Sequence, residues 1–209
     1  MGRITKALKE ETRQHIIETA RELFTKHGYE QTKTKTIAKA CGIAEGTLFN
    51  YFASKDEILI TIFEAIGVDE VETSDLPSPI EMIMIQALHP IKRMNNLPRG
   101  MLFDLFIASL KLARKKPTLF HRLAALDLNY IEALTQTIER CTGTHDDPLS
   151  AKELSHMIYG VVAADFLFYL YHQDTNYQDF ANQVKRKLNF LISTYFKEVK
   201  HVDSTEQGQ

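Results

Sequence analysis

Apolar residues recur with helical spacing along almost the whole chain, whereas the alternation typical of strands is nearly absent. Ile16, Ala20, Leu23 and Phe24 fall on one face of a first helix, which ends at Gly28. The pattern therefore predicts an all-α protein. The other predicted helices are a short one around 37–41, a third at 45–51, a fourth that begins at Ser54, and five longer ones at 79–95, 99–115, 118–141, 148–172 and 176–199.

A domain boundary is predicted in the acidic segment GVDEVETSDLPSP, residues 67–79, which contains two prolines. An N-terminal domain is accordingly expected at 10–70 and a larger helical domain at 71–200. The polar segment 201–209 is expected to form a flexible tail.

The segment TIAKACGIAEGTLFNYF, residues 36–52, has the pattern of two short helices joined by a tight turn. Gly42 can adopt the left-handed backbone conformation that such a turn needs, and Ala38, Ile43 and Leu48 can pack the two helices together. Gly46 lies near the start of the second helix, where the missing side chain permits close approach of a ligand. These features predict a helix-turn-helix motif at about 33–52 that presents its second helix outward.

Three linked motifs resemble the DNA-binding domain of the TetR family of transcriptional regulators. They are ARELFTKHGYEQT, TIAKACGIAEGTLFNYF and SKDEIL, and they follow one another in the order and spacing of that family between about Thr12 and Leu59. The resemblance implies that the helix around Glu45–Tyr51 lies in the major groove of DNA. Lys55, at the start of the next helix, is also well placed to attract phosphate.

The resemblance also assigns individual DNA contacts. Residues expected nearest to base edges are Glu45, Gly46, Thr47 and Asn50, whereas Tyr51 and Lys55 are expected at phosphates, and Thr34, Lys35 and Thr36 at the DNA backbone.

Three positions depart from the family pattern. Phe49, also placed in the DNA-binding set, stands where the family usually has Tyr, so a hydroxyl contact to phosphate is lost. Glu45 stands where Lys is common, which exchanges general attraction to DNA for possible base selectivity. Lys33 replaces the usual Ser or Thr cap, so Thr32 or Thr34 is expected to cap the second helix instead.

The same resemblance implies a repressor that is released from a palindromic operator by a small-molecule effector. A homodimer is expected through the helices at about 148–172 and 176–199. Met and aromatic residues of the second domain are mostly core positions, but some can line an adaptable apolar pocket. The candidate effector-pocket residues are Met101, Phe103, Phe106, Tyr130, Asp165, Phe166 and Tyr169.

Asp165 has two interpretations, because it lies in a helix that is apolar on all sides. A buried carboxylate needs a partner, which comes either from another helix or a dimer mate, or from a polar or cationic effector.

Composition narrows the classes of function. Hydrophobic residues make up 44% of the 209-residue chain and the net charge is −2, so a sizeable core is expected and nothing global demands a nucleic-acid partner. Only two cysteines are present, with no signal peptide and no apolar run long enough to span a membrane, which favours a cytoplasmic protein.

The eight scattered histidines give no metal-ligand spacing, and we expect no metal, no cofactor and no catalytic residue. The alternatives are an enzyme, for which no recognisable catalytic constellation is present, and an adaptor that keeps the helix-turn-helix but works through a protein partner without an effector.

Overall fold

The computed structural model describes residues 6–66, 78–95, 97–142 and 149–206. Within these residues the secondary structure is entirely helical, which confirms the predicted all-α class. The helices are α1 Lys6–His27, α2 Thr34–Ala40, α3 Glu45–Phe49, α4 Lys55–Ile66, α5 Pro79–Met94, α6 Arg99–Lys115, α7 Pro117–Thr142, α8 Ala151–Tyr171 and α9 Tyr177–Glu206.

Local sequence signals account for several helix starts. The Ser150 hydroxyl accepts from the amide of Glu153, whose side chain accepts from the Ser150 amide in return, so the predicted capping box at the start of α8 is present. Ser54 likewise accepts from the amide of Glu57, although the Glu57 carboxylate binds the amide of Ala53. At the other end of the chain α9 continues to Glu206, into the segment predicted as a flexible tail, and residues 207–209 lie outside the described part.

The chain divides into two compact units: the first comprises residues 1–68 and 96–125, and the second comprises 69–95 and 126–209. The sequence-based division placed residues 96–125 in the second domain, whereas their contacts group them with the N-terminal helices. The physical reason is that α6 packs against both α1 and α4.

The first unit is built around the apolar faces of α1, α4 and α6. Ile16, Ala20 and Phe24 of α1 are almost fully buried, as are Leu102 and Leu112 of α6. Burial of each of the larger side chains, the isoleucine, leucines and phenylalanine, contributes roughly 1.5–3 kcal/mol. Spaced three or four residues apart, these positions fix the face that α1 turns inward.

The second unit is dominated by the packing of α8 and α9 on each other and on α5. Phe180, Val184, Leu188, Ile192 and Tyr195 form the buried stripe of α9. The hydroxyls of Thr135 and Ser155 lie 2.8 Å apart and join α7 to α8.

By length and composition alone, α8 could cross a membrane, and it is the only helix among the described residues that could. Of its most apolar window, 39% is buried inside the protein. Its buried residues pack on α9 and α5, as the core helix of a water-soluble protein also does.

Candidate nucleic-acid interface

The turn between α2 and α3 is held by backbone geometry that only its glycine adopts readily. Gly42 has a φ of 69°, in the left-handed region. Its amide donates to the carbonyl of Lys39 at 3.1 Å, and the amide of Ile43 donates to the carbonyl of Ala38 at 3.0 Å. These two bonds form a Schellman motif, which satisfies the last carbonyls of α2 and turns the chain sharply into α3. The predicted helix-turn-helix is therefore present in the backbone.

The short helix α3 separates an inner face from an outer one. Leu48 and the following Phe52 are 0% and 1% exposed and anchor the helix to the first unit. The guanidinium of Arg13 covers the Phe52 ring at 5.1 Å. Gly46, Phe49 and Asn50 point the other way and are exposed, Phe49 by 47%. The inner residues thus present the outer face of α3 to solvent.

The prediction that Thr32 or Thr34 caps the start of α2 is wrong. Lys33 occupies the N-cap position without a side-chain capping bond. The Thr32 hydroxyl donates instead to the carbonyl of Gly28 at 2.8 Å, closing the turn after α1. The Thr34 hydroxyl donates to the carboxylate of Glu45 at 2.6 Å, which links the start of α2 to the start of α3.

The ten residues predicted to contact DNA all lie at the surface of the first unit, and none of them is buried. The ten residues differ in exposure: five on the outer faces of α2 and α3 are exposed to solvent, and five are half-buried. The exposed residues are Lys35, Thr36, Gly46, Phe49 and Asn50, and the half-buried ones are Thr34, Glu45, Thr47, Tyr51 and Lys55.

Lys55 is bound by the protein itself. Its ammonium donates to the carbonyls of Tyr29 and Glu30, at 2.7 and 3.4 Å, and lies 4.1 Å from the centre of the Tyr29 ring. Burial lowers the pKa of this ammonium. Lys55 therefore stabilises the turn between α1 and α2 in this structure.

Sequence reasoning missed a polar network centred on Tyr29. The amide of Tyr29 donates to the Asp104 carboxylate at 3.0 Å, and its hydroxyl donates to Asp56 at 2.5 Å. The ammonium of Lys116 binds the other oxygen of Asp56 at 2.7 Å. Burial, followed by the hydrogen bond to Asp56, raises the pKa of Tyr29 far above its ordinary value. Although burial raises the pKa of Asp56, the bonds from Lys116 and Tyr29 outweigh that effect and lower it.

A second set of contacts holds α4. The Arg122 guanidinium, near the start of α7, donates to Glu64 at 2.5 and 2.8 Å, to Glu57 at 3.4 Å and to the Thr61 hydroxyl at 3.3 Å. Another ion pair, between Lys111 of α6 and Glu30, closes at 2.7 Å. Together with the Tyr29 network, these contacts bind α6 and the first turns of α7 to α4 and to the turn between α1 and α2.

The candidate effector-pocket residues are divided between the two units. Met101, Phe103 and Phe106 belong to the first unit. Met101 is 2% exposed, and its sulfur accepts from the Thr25 hydroxyl of α1 at 3.9 Å. Phe103 is 39% exposed and Phe106 is half-buried.

The other four candidates belong to the second unit. The Tyr130 hydroxyl donates to the carbonyl of Ala87 at 2.8 Å. Tyr169 stacks on Phe180 with ring centres 4.8 Å apart, and Phe166 lies 6.5 Å from the same ring. Phe166 and Tyr169 thus share one aromatic cluster, in which Tyr130 takes no described part.

Asp165, the fourth, is paired within the second unit. It is 7% exposed, and one carboxylate oxygen accepts from the ammonium of Lys187 on α9 at 2.5 Å. Its other oxygen is buried without a hydrogen-bond partner among the described residues. An intramolecular partner therefore supplies part of what a buried carboxylate requires.

Two open grooves lie on the second unit and contain none of the predicted pocket residues. One has a volume of about 400 Å³ and is lined by polar residues near the start of α9. The other, of about 450 Å³, lies at the start of α8. No group of His, Cys, Asp or Glu side chains able to hold a metal occurs in the part of the chain that the structure describes.

Residues 16–62, from the middle of α1 to α4, match the model of the family described as bacterial regulatory proteins, tetR family. The chain is 27% identical over 150 residues to the HTH-type transcriptional regulator AcrR of Shigella flexneri, a match that covers 68% of this chain and 69% of the relative.

One relative and one solved structure concern fatty acids. A fatty acid metabolism regulator protein of Bacillus subtilis is 43% identical over 49 residues, which cover 23% of this chain and only 25% of that relative. The solved structure of the transcriptional regulator FadR from Bacillus subtilis in complex with stearoyl-CoA superposes with a TM-score of 0.61. It is 21% identical and covers 84% of this chain and 96% of its own, so it supports the fold of both units.

Proposed function

Because the chain belongs to the TetR family of transcriptional regulators, we propose that it is a repressor that binds a palindromic operator as a homodimer and is released by a small-molecule effector. Binding of DNA and regulation of transcription follow from the family itself. The repressor role, the palindrome, the dimer and the effector are the proposal. Its site of action is the cytoplasm, where a bacterial regulator meets the chromosome.

The observation that carries the proposal is the outward presentation of α3. Leu48 and Phe52 hold the helix from inside, while Gly46, Phe49 and Asn50 remain exposed on the opposite face. A short helix of this kind, which follows a tight turn and exposes a glycine, an asparagine and one aromatic ring, suits the major groove. Exposed Lys35 and Thr36 on α2 suit the flanking phosphates.

The homodimer is supported by apolar side chains that α8 and α9 leave uncovered. Phe168 and Tyr171 of α8 are 58% and 55% exposed, and Phe190 of α9 is 75% exposed. An added Cβ at Gly160 on α8 would meet nothing within 4 Å, so this part of the helix is open to a close neighbour. A two-fold dimer through these helices would present two copies of α3 to two half-sites, which is why a palindrome is proposed.

Fatty acyl-CoA is the first effector class to test. Two matches support this class: one relative is named as a regulator of fatty acid metabolism, and one similar structure was solved with stearoyl-CoA. A long acyl chain also suits the candidate pocket residues, five of which are aromatic.

Release is proposed to proceed as a population shift. Asp104 of α6 binds Tyr29, Lys111 of α6 binds Glu30, and Lys116, which follows α6, binds Asp56. These contacts couple the position of α6 to the rest of the DNA-binding unit. An effector that favours a different position of α6 would therefore alter the placement of α3. Its influence is limited by the difference in its affinity for the two states.

The test begins with selection of bound sequences from random duplexes by the purified full chain. Fluorescence anisotropy on the selected duplex then measures affinity against salt concentration. The proposal expects a palindrome bound by a dimer, with affinity that falls steeply as salt rises. Weak binding that ignores sequence would contradict it and favour the adaptor alternative.

The effector is tested on the same duplex with acyl-CoA esters of graded chain length, with free CoA as the matched control. At least a tenfold loss of operator affinity with one ester, and none with free CoA, is the expected result. Binding of an ester that leaves operator affinity unchanged would contradict release by that class.

A further inference from the structure

Thr34 and Glu45 are joined by a hydrogen bond in the middle of the surface proposed to face DNA. The Thr34 hydroxyl donates to one carboxylate oxygen of Glu45, Oε1, at 2.6 Å. Eleven residues separate the two positions, which begin α2 and α3 respectively. Both side chains are half-buried, so the contact is partly shielded from water. Family resemblance assigned separate DNA contacts to these residues, and the structure shows them bonded to each other.

The bond leaves the carboxylate with one free oxygen. No described residue donates to Oε2 of Glu45. A carboxylate accepts hydrogen bonds and cannot donate them, so in the groove it can bind only a donor group. Such a group must also lie away from other acceptors, since these would repel the negative charge.

One base edge in the major groove meets that condition best. Guanine presents two acceptors and thymine one acceptor with a methyl group, and adenine places the N7 acceptor beside its amino donor. Cytosine has no acceptor on its own major-groove edge, so its N4 amino group has an acceptor on one side only, the O6 of the paired guanine, whereas the adenine amino group lies between two acceptors. Glu45 is therefore suited to cytosine and penalises the other bases by repulsion, which is a source of specificity in its own right.

How strongly the Glu45 carboxylate discriminates between bases depends on how its orientation is fixed. A glutamate side chain has three rotatable bonds, and fixing them at the moment of binding opposes association. The Thr34 hydroxyl restrains the Glu45 carboxylate before DNA arrives. It also occupies the oxygen that would otherwise compete for the same donor.

We propose that Thr34 is a positioning residue that orients Glu45, so that Oε2 accepts a hydrogen bond from N4 of one cytosine in each operator half-site. The inference rests on the proposed function, because it requires a sequence-specific operator. It adds the base that is read and the residue pair that reads it.

The test uses the full chain and four variants in the same duplex selection: T34V, T34S, E45Q and, as a control, E22Q. T34V keeps the shape of threonine and removes its donor, while T34S keeps the donor. Glu22 is an exposed carboxylate on α1, so E22Q makes the same change of charge away from α3. Anisotropy then compares the selected operator with one in which each candidate C·G pair is replaced by another pair.

Wild-type protein is expected to prefer cytosine at one position of each half-site by roughly tenfold or more. T34V should lower this preference at least threefold, T34S should restore it, and E22Q should leave it unchanged. E45Q should shift the preference toward adenine, because an amide pairs with adenine in a bidentate manner.

The inference is overturned if a specific operator is selected but no position depends on Glu45, or if T34V retains the full cytosine preference while E45Q loses it. It is also overturned if T34S behaves as T34V does, since the hydroxyl would then be irrelevant. Failure to select any operator overturns the proposed function first, and the inference with it. Circular dichroism of each variant identifies loss of folding, and E45Q provides a reading independent of position 34.

Discussion

The hydroxyl of Tyr29 donates to one carboxylate oxygen of Asp56 at 2.5 Å, and Lys116 binds the other oxygen at 2.7 Å. Tyr29 lies in the turn that leads to α2, Asp56 lies at the start of α4, and Lys116 directly follows α6. One carboxylate thus joins three separate parts of the first unit. Since the Tyr29 ring is only 4% exposed, the network also contributes to the core beneath the helix-turn-helix.

Replacing Asp56 tests the stability that this carboxylate provides. Asp56→Ala leaves a buried hydroxyl without its acceptor, so we expect the free energy of unfolding to fall by roughly 1–3 kcal/mol. Asp56→Asn keeps an acceptor for Tyr29 and loses the charge pair with Lys116, so its effect should be smaller. Urea titration followed by circular dichroism measures both. Equal stability of wild type and Asp56→Ala, with Glu22→Gln as the neutral control, would show that the network contributes nothing.

The lowered pKa of Asp56 predicts how stability depends on pH. The ordinary pKa of an aspartate is about 3.9, so at acid pH the unfolded chain binds this proton before the folded protein does. The contribution of Asp56 is therefore present above about pH 5 and is lost as pH falls through the lowered folded value. We expect the stability difference between wild type and Asp56→Asn, about 1 kcal/mol near neutrality, to shrink as pH falls below about 4. A difference that stays constant between pH 6 and pH 3 would contradict the assignment. Urea midpoints measured at each pH give the answer.

Much of the fold could be predicted because its signals are local. The capping serines Ser54 and Ser150 mark two helix starts, and Gly28 and Gly42 mark two helix ends where the backbone takes a positive φ. The partners of Tyr29 could not be found this way, because Asp104 lies 75 residues further along the chain. No pattern in the intervening residues indicates which side chains of α6 meet that turn. The assignment of residues 96–125 to the first unit was missed for the same reason.

The sequence predicts which candidate DNA contacts lie at the surface, but it does not predict which side chains or carbonyls they bind within the protein. Outward placement of Phe49 and Asn50 follows from helical spacing, once Leu48 and Phe52 are recognised as buried. The bond between Thr34 and Glu45 depends on the angle between two short helices, which the turn at Gly42 sets in three dimensions. The Lys55 ammonium likewise donates to the carbonyl of Tyr29 in the turn after α1, a contact that helical spacing does not reveal.

Phe49→Tyr tests the phosphate contact that this chain lacks. The ring is 47% exposed on the outer face of α3, so an added hydroxyl needs no repacking. One additional hydrogen bond should strengthen operator binding roughly two- to tenfold. Anisotropy on the selected operator measures this change, with Phe103→Tyr on α6 as the matched control, since its ring is 39% exposed. An unchanged or weaker affinity would indicate that the ring faces bases or solvent instead of phosphate.

Phe190→Glu tests the dimer surface of α9. With 75% of this side chain exposed in the single chain, the substitution should leave the fold intact and place a charge in the proposed interface. We expect the dimer to dissociate at least a hundredfold more readily, with a corresponding loss of operator affinity. Leu110→Glu on α6 is the control, because Leu110 is similarly exposed, at 58%, outside α8 and α9. Sedimentation equilibrium that finds identical dimers for wild type and Phe190→Glu would exclude this face.

The pair of Asp165 and Lys187 provides a test of how a carboxylate is tolerated between α8 and α9. Asp165 is 7% exposed and one of its oxygens already lacks a described partner, whereas the Lys187 side chain is 48% exposed. Lys187→Met removes the remaining partner, and we expect a loss of roughly 1–3 kcal/mol, since solvent screens part of the pair. The double variant Asp165→Asn/Lys187→Met carries no buried charge and should recover about 1 kcal/mol or more of that loss.

Lys185→Met, an exposed lysine on the same helix, is the control for removing a charge from α9. Urea titration of the three variants and wild type yields the coupling between positions 165 and 187. If Lys187→Met and Lys185→Met have the same small effect, the pair does not stabilise the α8–α9 packing. If the double variant is less stable than Lys187→Met alone, the carboxylate of Asp165 has a favourable partner other than Lys187.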